Sequence, residues 1–133
     1  MKGMFNENYE LRYLDLSNFN TSNVIDMGYM FNSCHKLKEI KGINNFNTSK
    51  VTNMKLMLSE CHELEYLDLT NFNTANVKDL GWLFNKCHKL KEIKGINNFK
   101  TSKVTIMRGM FNECQEIEYL VLYNYNTSNV TDM

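Results

Sequence analysis

The sequence predicts a right-handed α/β solenoid of about five coils, with a parallel β-sheet on one face and short helices on the other. Three observations predict it. Cys34, Cys61, Cys87 and Cys114 recur at gaps of 27, 26 and 27 residues. Residues 37–53, LKEIKGINNFNTSKVTN, return at 90–106 as LKEIKGINNFKTSKVTI, with two of seventeen positions changed. Between them lies a looser copy, LEYLDLTNFNTANVKDL at 64–80, which LRYLDLSNFNTSNVIDM at 11–27 matches closely. Such regularity is a repeat rather than a disulfide framework, and two alternating unit types of 26 and 27 residues account for it.

Each element of one unit follows from its residues. Leu14 and Leu16 alternate with Tyr13, Asp15 and Ser17, the period of a short strand with one buried face. Asn18–Ser22 is rich in turn formers. Val24, Met27, Met30, Phe31 and Cys34 then fall at helical spacing, and Thr21 or Ser22 is placed to cap that helix. His35 and Lys36 lead into the next strand. The 27-residue units read IKGIN where the others read LDLSN, so Gly42 and Gly95 are expected to form a bulge that returns Ile43 and Ile96 to the inward place. One such unit cannot bury its own apolar face, whereas stacked units fuse theirs into one core. Residues 1–133 therefore read as a single domain of five units. Met1 and Met133 share one phase, so the chain is expected to be a piece of a longer array or a small reading frame derived from one.

LxxLxL followed by NFNTSNVxDMxxMFxxC resembles the BspA-type leucine-rich repeats, and more narrowly the 26-residue repeat of bacterial surface proteins and lipoproteins of mycoplasmas and Listeria. The resemblance covers essentially the whole chain. It implies a leucine-rich-repeat solenoid, a role in adhesion or protein binding at the cell surface, and no catalytic residues.

Columns across the units separate core from surface. Asn18, Asn45, Asn71, Asn98 and Asn124 do not vary and read as an asparagine ladder. Phe19, Phe46, Phe72, Phe99 and Tyr125 read as a stacked aromatic spine. The methionines at 27, 30, 54, 57, 107 and 110 exchange with Leu80 and Leu83, which marks them as core filler. The cysteines read as small buried hydrophobes rather than zinc ligands or disulfides. On the outward face of the strands one row runs Tyr13, Glu39, Tyr66, Glu92, Tyr119. The other runs Asp15, Lys41, Asp68, Lys94, Val121, with Tyr123 farther along the fifth strand. Val121 aside, these ten residues are the candidate partner-binding set. The second row is also an expected ladder of opposite charges.

Composition narrows the function. Fifteen basic and fifteen acidic residues balance, which excludes the basic excess of a dedicated nucleic-acid binder. No apolar run approaches the ~18–20 residues of a membrane span, so no membrane insertion is expected. The opening MKGMFNENYE holds no secretory signal. No phosphate loop, nucleophile elbow or metal-ligand spacing is present, so no catalytic residue, cofactor or metal is expected. The expected function is a non-catalytic adhesion or interaction module that binds another protein through its sheet face. The same fold as an intracellular scaffold is the alternative, favoured by four unpaired thiols. Self-association through uncapped apolar ends is also expected.

Overall fold

The segment from Val24 to Cys34, whose spacing predicts a helix, forms none. The computed structural model describes all 133 residues, and its backbone there is a run of tight turns. Alternate amides go in different directions. Met30, Asn32 and Cys34 donate back three residues, to Met27, Tyr29 and Phe31. Met27, Tyr29, Phe31 and Ser33 instead donate to Asn53, Lys55, Met57 and Ser59 of the next unit, at 2.9–3.0 Å. Residues 54–60 and 80–86 repeat this pattern onto the units that follow them.

The switching needs a left-handed residue at every fourth position. Tyr29 and Ser33 have φ of 60° and 59°, Leu56 and Glu60 55° and 58°, and Trp82 and Lys86 59° and 57°. Each costs about 1–2 kcal/mol for a side chain with a Cβ. Gly3 and Gly109 hold the Tyr29 place in the first and last units and escape that cost. An isolated helix shorter than ~12–15 residues is marginal, so a set of bonds to a neighbouring unit displaces it.

The strands are equally short. β1 is Tyr13–Asp15, β2 is Glu39–Lys41, β3 is Tyr66–Asp68 and β4 is Glu92–Lys94. β1 pairs with β2 and β3 with β4, both parallel, and no pairing joins β2 to β3. The only helical elements are two 3₁₀ turns, Ile43–Asn45 and Ile96–Asn98. The predicted α/β leucine-rich-repeat solenoid is therefore corrected: there is no α-helix, and two separate two-stranded sheets replace one continuous sheet. Tyr119–Val121, expected as a fifth strand, is not one.

Turn and inter-unit bonds hold the molecule. Of 63 backbone–backbone hydrogen bonds, only 5 lie inside strands or helical turns. Parallel bridges run from Asp26 through Asn53, Asp79 and Ile106 to Asp132. The threonines do not cap helices as expected. Thr48 Oγ1 donates to the Asn73 carbonyl at 3.0 Å and accepts from the Asn73 amide at 2.8 Å. Thr21, Thr74 and Thr101 make the same two-way bond with Asn47, Lys100 and Asn126. All four threonines are buried, so the hydroxyl serves two backbone groups that water does not reach.

One hydrophobic cluster of 30 buried residues runs through the units. It includes the predicted methionine and leucine columns, with Phe46, Phe72 and Phe99. Phe19 lies at the surface. Ile43 and Ile96 are buried as expected. The extra residue sits outside the paired strands, however, as a left-handed glycine that opens each 3₁₀ turn (φ 80° at Gly42, 84° at Gly95). A Cβ on Gly95 would stand 2.4 Å from Thr70 Cα, and one on Gly42 2.5 Å from Ser17 Cα, so both glycines lie directly against the backbone of the preceding unit.

Candidate interaction face

The two strand pairs set the candidate residues in register. Tyr13 lies opposite Glu39 and Asp15 opposite Lys41; Tyr66 lies opposite Glu92 and Asp68 opposite Lys94. Leu14, Ile40, Leu67 and Ile93 point inward between them, so the candidates face out. Tyr13 and Tyr66 are 63% and 60% exposed. Between the two sheets lies a groove of about 630 Å³, lined by Tyr13, Lys38, Glu39, Tyr66, Leu67, Asp68, Glu92 and Lys94. Six of the ten candidates meet there. Asp15 and Lys41 border a smaller recess beside Tyr13 and Glu39. Tyr119 and Tyr123 lie outside the groove, on the segment that forms no strand, and are largely exposed.

The expected charge ladder is present at one rung. Lys41 Nζ meets Asp15 Oδ2 at 2.8 Å. The hydrogen bond from Lys41, followed by those from Ser17, holds the Asp15 carboxyl far below the usual carboxylate range, and the same contact raises Lys41. Asp68 instead accepts from the Thr70 hydroxyl at 2.6 Å and the Thr70 amide at 3.0 Å, and those bonds are the main cause of its lowered pKa. It forms no ion pair with Lys94.

Sequence reasoning overlooked a second set of charges beside the strands. Lys36 pairs with Glu10 at 2.7 Å, and Lys89 with Glu63 and Lys91 with Glu65 at 2.8 Å. The signal was legible, since the column Glu10, Lys36, Glu63, Lys89, Glu116 alternates in sign. The expected asparagine column satisfies backbone carbonyls at two of its positions, and a second asparagine ladder accompanies it. Asn32 donates to Asn6 at 2.9 Å and Asn112 to Asn85 at 2.8 Å. In the expected column, Asn71 and Asn124 donate to the carbonyls of Asn44 and Asn97.

The residues after the cysteines form a stack. The His35 and His62 rings lie 4.5 Å apart at 8°, and His62 and His88 4.7 Å apart at 13°. Glu60 Oε2 lies 3.4 Å from His35 Nε2. Ligand atoms of His35, Glu60 and His62 approach within 4.8 Å of one another, the spread of a three-ligand metal cluster. Parallel stacked rings do not aim two lone pairs at one ion, because an ion ~2.0–2.1 Å from each nitrogen must lie in both ring planes. The arrangement suits stacking rather than chelation. Burial, then the charges of His35 and His88, lower the His62 pKa.

All four cysteines are free. Each thiol donates to a carbonyl of the preceding unit: Cys34 to Phe5, Cys61 to Phe31, Cys87 to Leu58 and Cys114 to Phe84, at 3.0–3.3 Å. Burial raises every thiol pKa, to about 11 at Cys34 and Cys114, which keeps the donor proton in place. At the far end Met107, Met110, Phe111, Leu122 and Tyr125 line an apolar groove of about 460 Å³.

No helix is long and apolar enough to cross a membrane. No curated protein and no solved structure matches the chain. A family model described as Mycoplasma protein of unknown function, DUF285, matches residues 1–95 and again 79–133, which together span the whole sequence. The repeats that order the tyrosine face are thus the repeats of that family, and the chain belongs to it.

Proposed function

We propose that the protein is a non-catalytic interaction module that binds another protein across its outward tyrosine face. One observation carries this reading: the groove between the two sheets gathers Tyr13, Glu39, Tyr66, Asp68, Glu92 and Lys94 in one place. Exposed tyrosines ringed by charge suit protein contact, because a tyrosine offers a broad apolar surface with a polar tip at low entropic cost. The resemblance to BspA-type surface repeats supports a role in adhesion. Incorporating a photo-crosslinking residue at Tyr66, and separately at exposed Ser102 on a turn, tests the reading. A partner captured from Tyr66, and lost when Tyr13 and Tyr119 become Ala, is the expected result. Equal capture from both positions overturns it.

A second reading, the same module acting inside the cell, is favoured by the four free thiols, since a reducing setting preserves such residues. Protease treatment of intact cells separates the two. Loss of the chain marks display, and its survival marks an internal scaffold.

A further inference from the structure

We propose that a recess beside the tyrosine face, lined by Arg12, His35, Lys36, Lys38, His62 and Glu63, takes a phosphate monoester carried by the protein partner of that face. This rests on the reading of the tyrosine face as a binding surface. The recess has a volume of about 400 Å³ and no hydrophobic residue in its lining. Lys38 lines both it and the tyrosine groove, so one partner reaches the two together.

The second double repeat supplies the comparison. Residues 64–69 read LEYLDL where residues 11–16 read LRYLDL, so Arg12 stands in the place of Glu65. Lys38 and Lys91 share one place in the units that follow, each inside LKEIKG. The backbones match: the Lys38 amide donates to the Arg12 carbonyl at 2.8 Å, and the Lys91 amide to the Glu65 carbonyl at 2.9 Å. The side chains do not. Lys91 pairs with Glu65 at 2.8 Å, whereas Lys38 finds another cation there, and neither it nor Arg12 belongs to an ion pair. Like charges on neighbouring strands repel. The other charges of the lining are matched, Lys36 by Glu10 at 2.7 Å and Glu63 by Lys89 at 2.8 Å. Two positive charges are therefore left over.

That surplus selects the ligand. A phosphate monoester carries a charge of about −1.5 to −2 at neutral pH, whereas a carboxylate or a nucleic-acid phosphodiester carries a single one. Its oxygens fit the planar fork of a guanidinium, which Arg12 offers and a lysine would not. The half-buried rings of His35 and His62 bring imidazole N–H groups to the same lining.

The test has two arms. In the first, labelled pentapeptides with phosphoserine, glutamate or serine at the centre of four glycines are read by fluorescence anisotropy at low salt. The phosphoserine peptide is expected to bind about tenfold tighter than either control. Arg12→Glu, which gives Lys38 the partner that Lys91 already has, is expected to remove the preference. Lys78→Glu makes the same change of charge at an exposed, unpaired lysine outside the recess and is expected to keep it. Glutamate already occupies the equivalent place at Glu65, so the Arg12 variant folds, which circular dichroism checks. Equal binding of the phosphoserine and glutamate peptides, no binding of any, or equal losses in the two variants overturns the proposal. In the second arm, the cell extract is treated with phosphatase before crosslinking from Tyr66. Capture is expected to fall with that treatment and with Arg12→Glu. Capture that survives both overturns the proposal and leaves the binding face standing. If Tyr66 captures nothing from the untreated extract either, the wider reading fails with it.

Discussion

The step from β1 to β2 and the step from β2 to β3 join the same two unit types in opposite order, yet they are built differently. The first has three residues in parallel register, and Lys36–Glu10 and Lys41–Asp15 contacts at 2.7 and 2.8 Å. The second has no strand pairing. In its place the Asn71 side chain donates to the Asn44 carbonyl at 3.0 Å. The same contrast returns one double repeat later, where β3 pairs with β4 and Tyr119–Val121 joins no sheet. One inserted residue explains the alternation. Gly42 and Gly95 press a 3₁₀ turn against the unit before, which closes one step and opens the next. The groove between Tyr13 and Tyr66 lies over such an open step. What separates the units on one side is thus what makes room for the groove.

The largest way to break this contrast is Gly95→Ala. The new Cβ meets the Thr70 backbone, and φ of 84° is hostile to any L side chain, so a loss of at least ~3 kcal/mol is expected in urea unfolding. A loss below ~1 kcal/mol would show that the glycine does not close the β3–β4 step.

Threonine substitutions come next. Thr74→Val leaves the Lys100 amide and carbonyl without a partner beside a paired step, at a cost of about 2–4 kcal/mol. Thr48→Val does the same to Asn73 at an open step, where no strand bonds back it up, and is expected to cost more. Thr→Ser at either place retains the hydroxyl and most of the stability. Equal losses for the two valine variants would erase the distinction between the steps.

A smaller effect concerns acid. The histidine stack crosses paired and open steps alike. Because the folded chain lowers the His62 pKa below 6.5, the unfolded chain binds that proton more readily. Stability is therefore full above about pH 6.5 and falls as the pH drops below it, and His62→Gln should flatten that fall in thermal melts. A slope that survives the substitution would assign it to carboxylates such as Glu60, whose burial is outweighed by its bonds to His35 and Ser33 and the charge of Lys86. Smallest is the response to salt. The close ion pairs of the paired steps are exposed or half-exposed, so the melting temperature should barely move between low and high ionic strength.

Much of this was legible in the residues. The 26- and 27-residue alternation, the inward leucines and isoleucines, the outward tyrosines and the burial of the Met column and of most Phe and Cys positions all follow from which positions exchange with which. The helix did not survive because spacings of three and four are shared by two structures. A helix returns every amide to its own chain, whereas these turns return half and give the rest to the next unit. The column Gly3, Tyr29, Leu56, Trp82, Gly109 held the hint, since glycine appears twice where a left-handed residue is required. The groove was not legible either. Its existence depends on where Gly42 sends the extra residue, and that is decided by contact with Ser17 in another unit.

The bonds of the turn ladder all run one way. Gly3 donates to Gly28, Tyr29 to Lys55, Leu56 to Gly81 and Trp82 to Arg108, always from an earlier unit to a later one. Peptide groups aligned in this manner sum to an electric moment, as they do in a helix, but here the moment lies across the chain rather than along it. Its positive pole faces outward from residues 107–113 and its negative pole from residues 1–7. The molecule thus carries a built-in polarity, set by backbone alone, that its evenly balanced side-chain charges do not reveal.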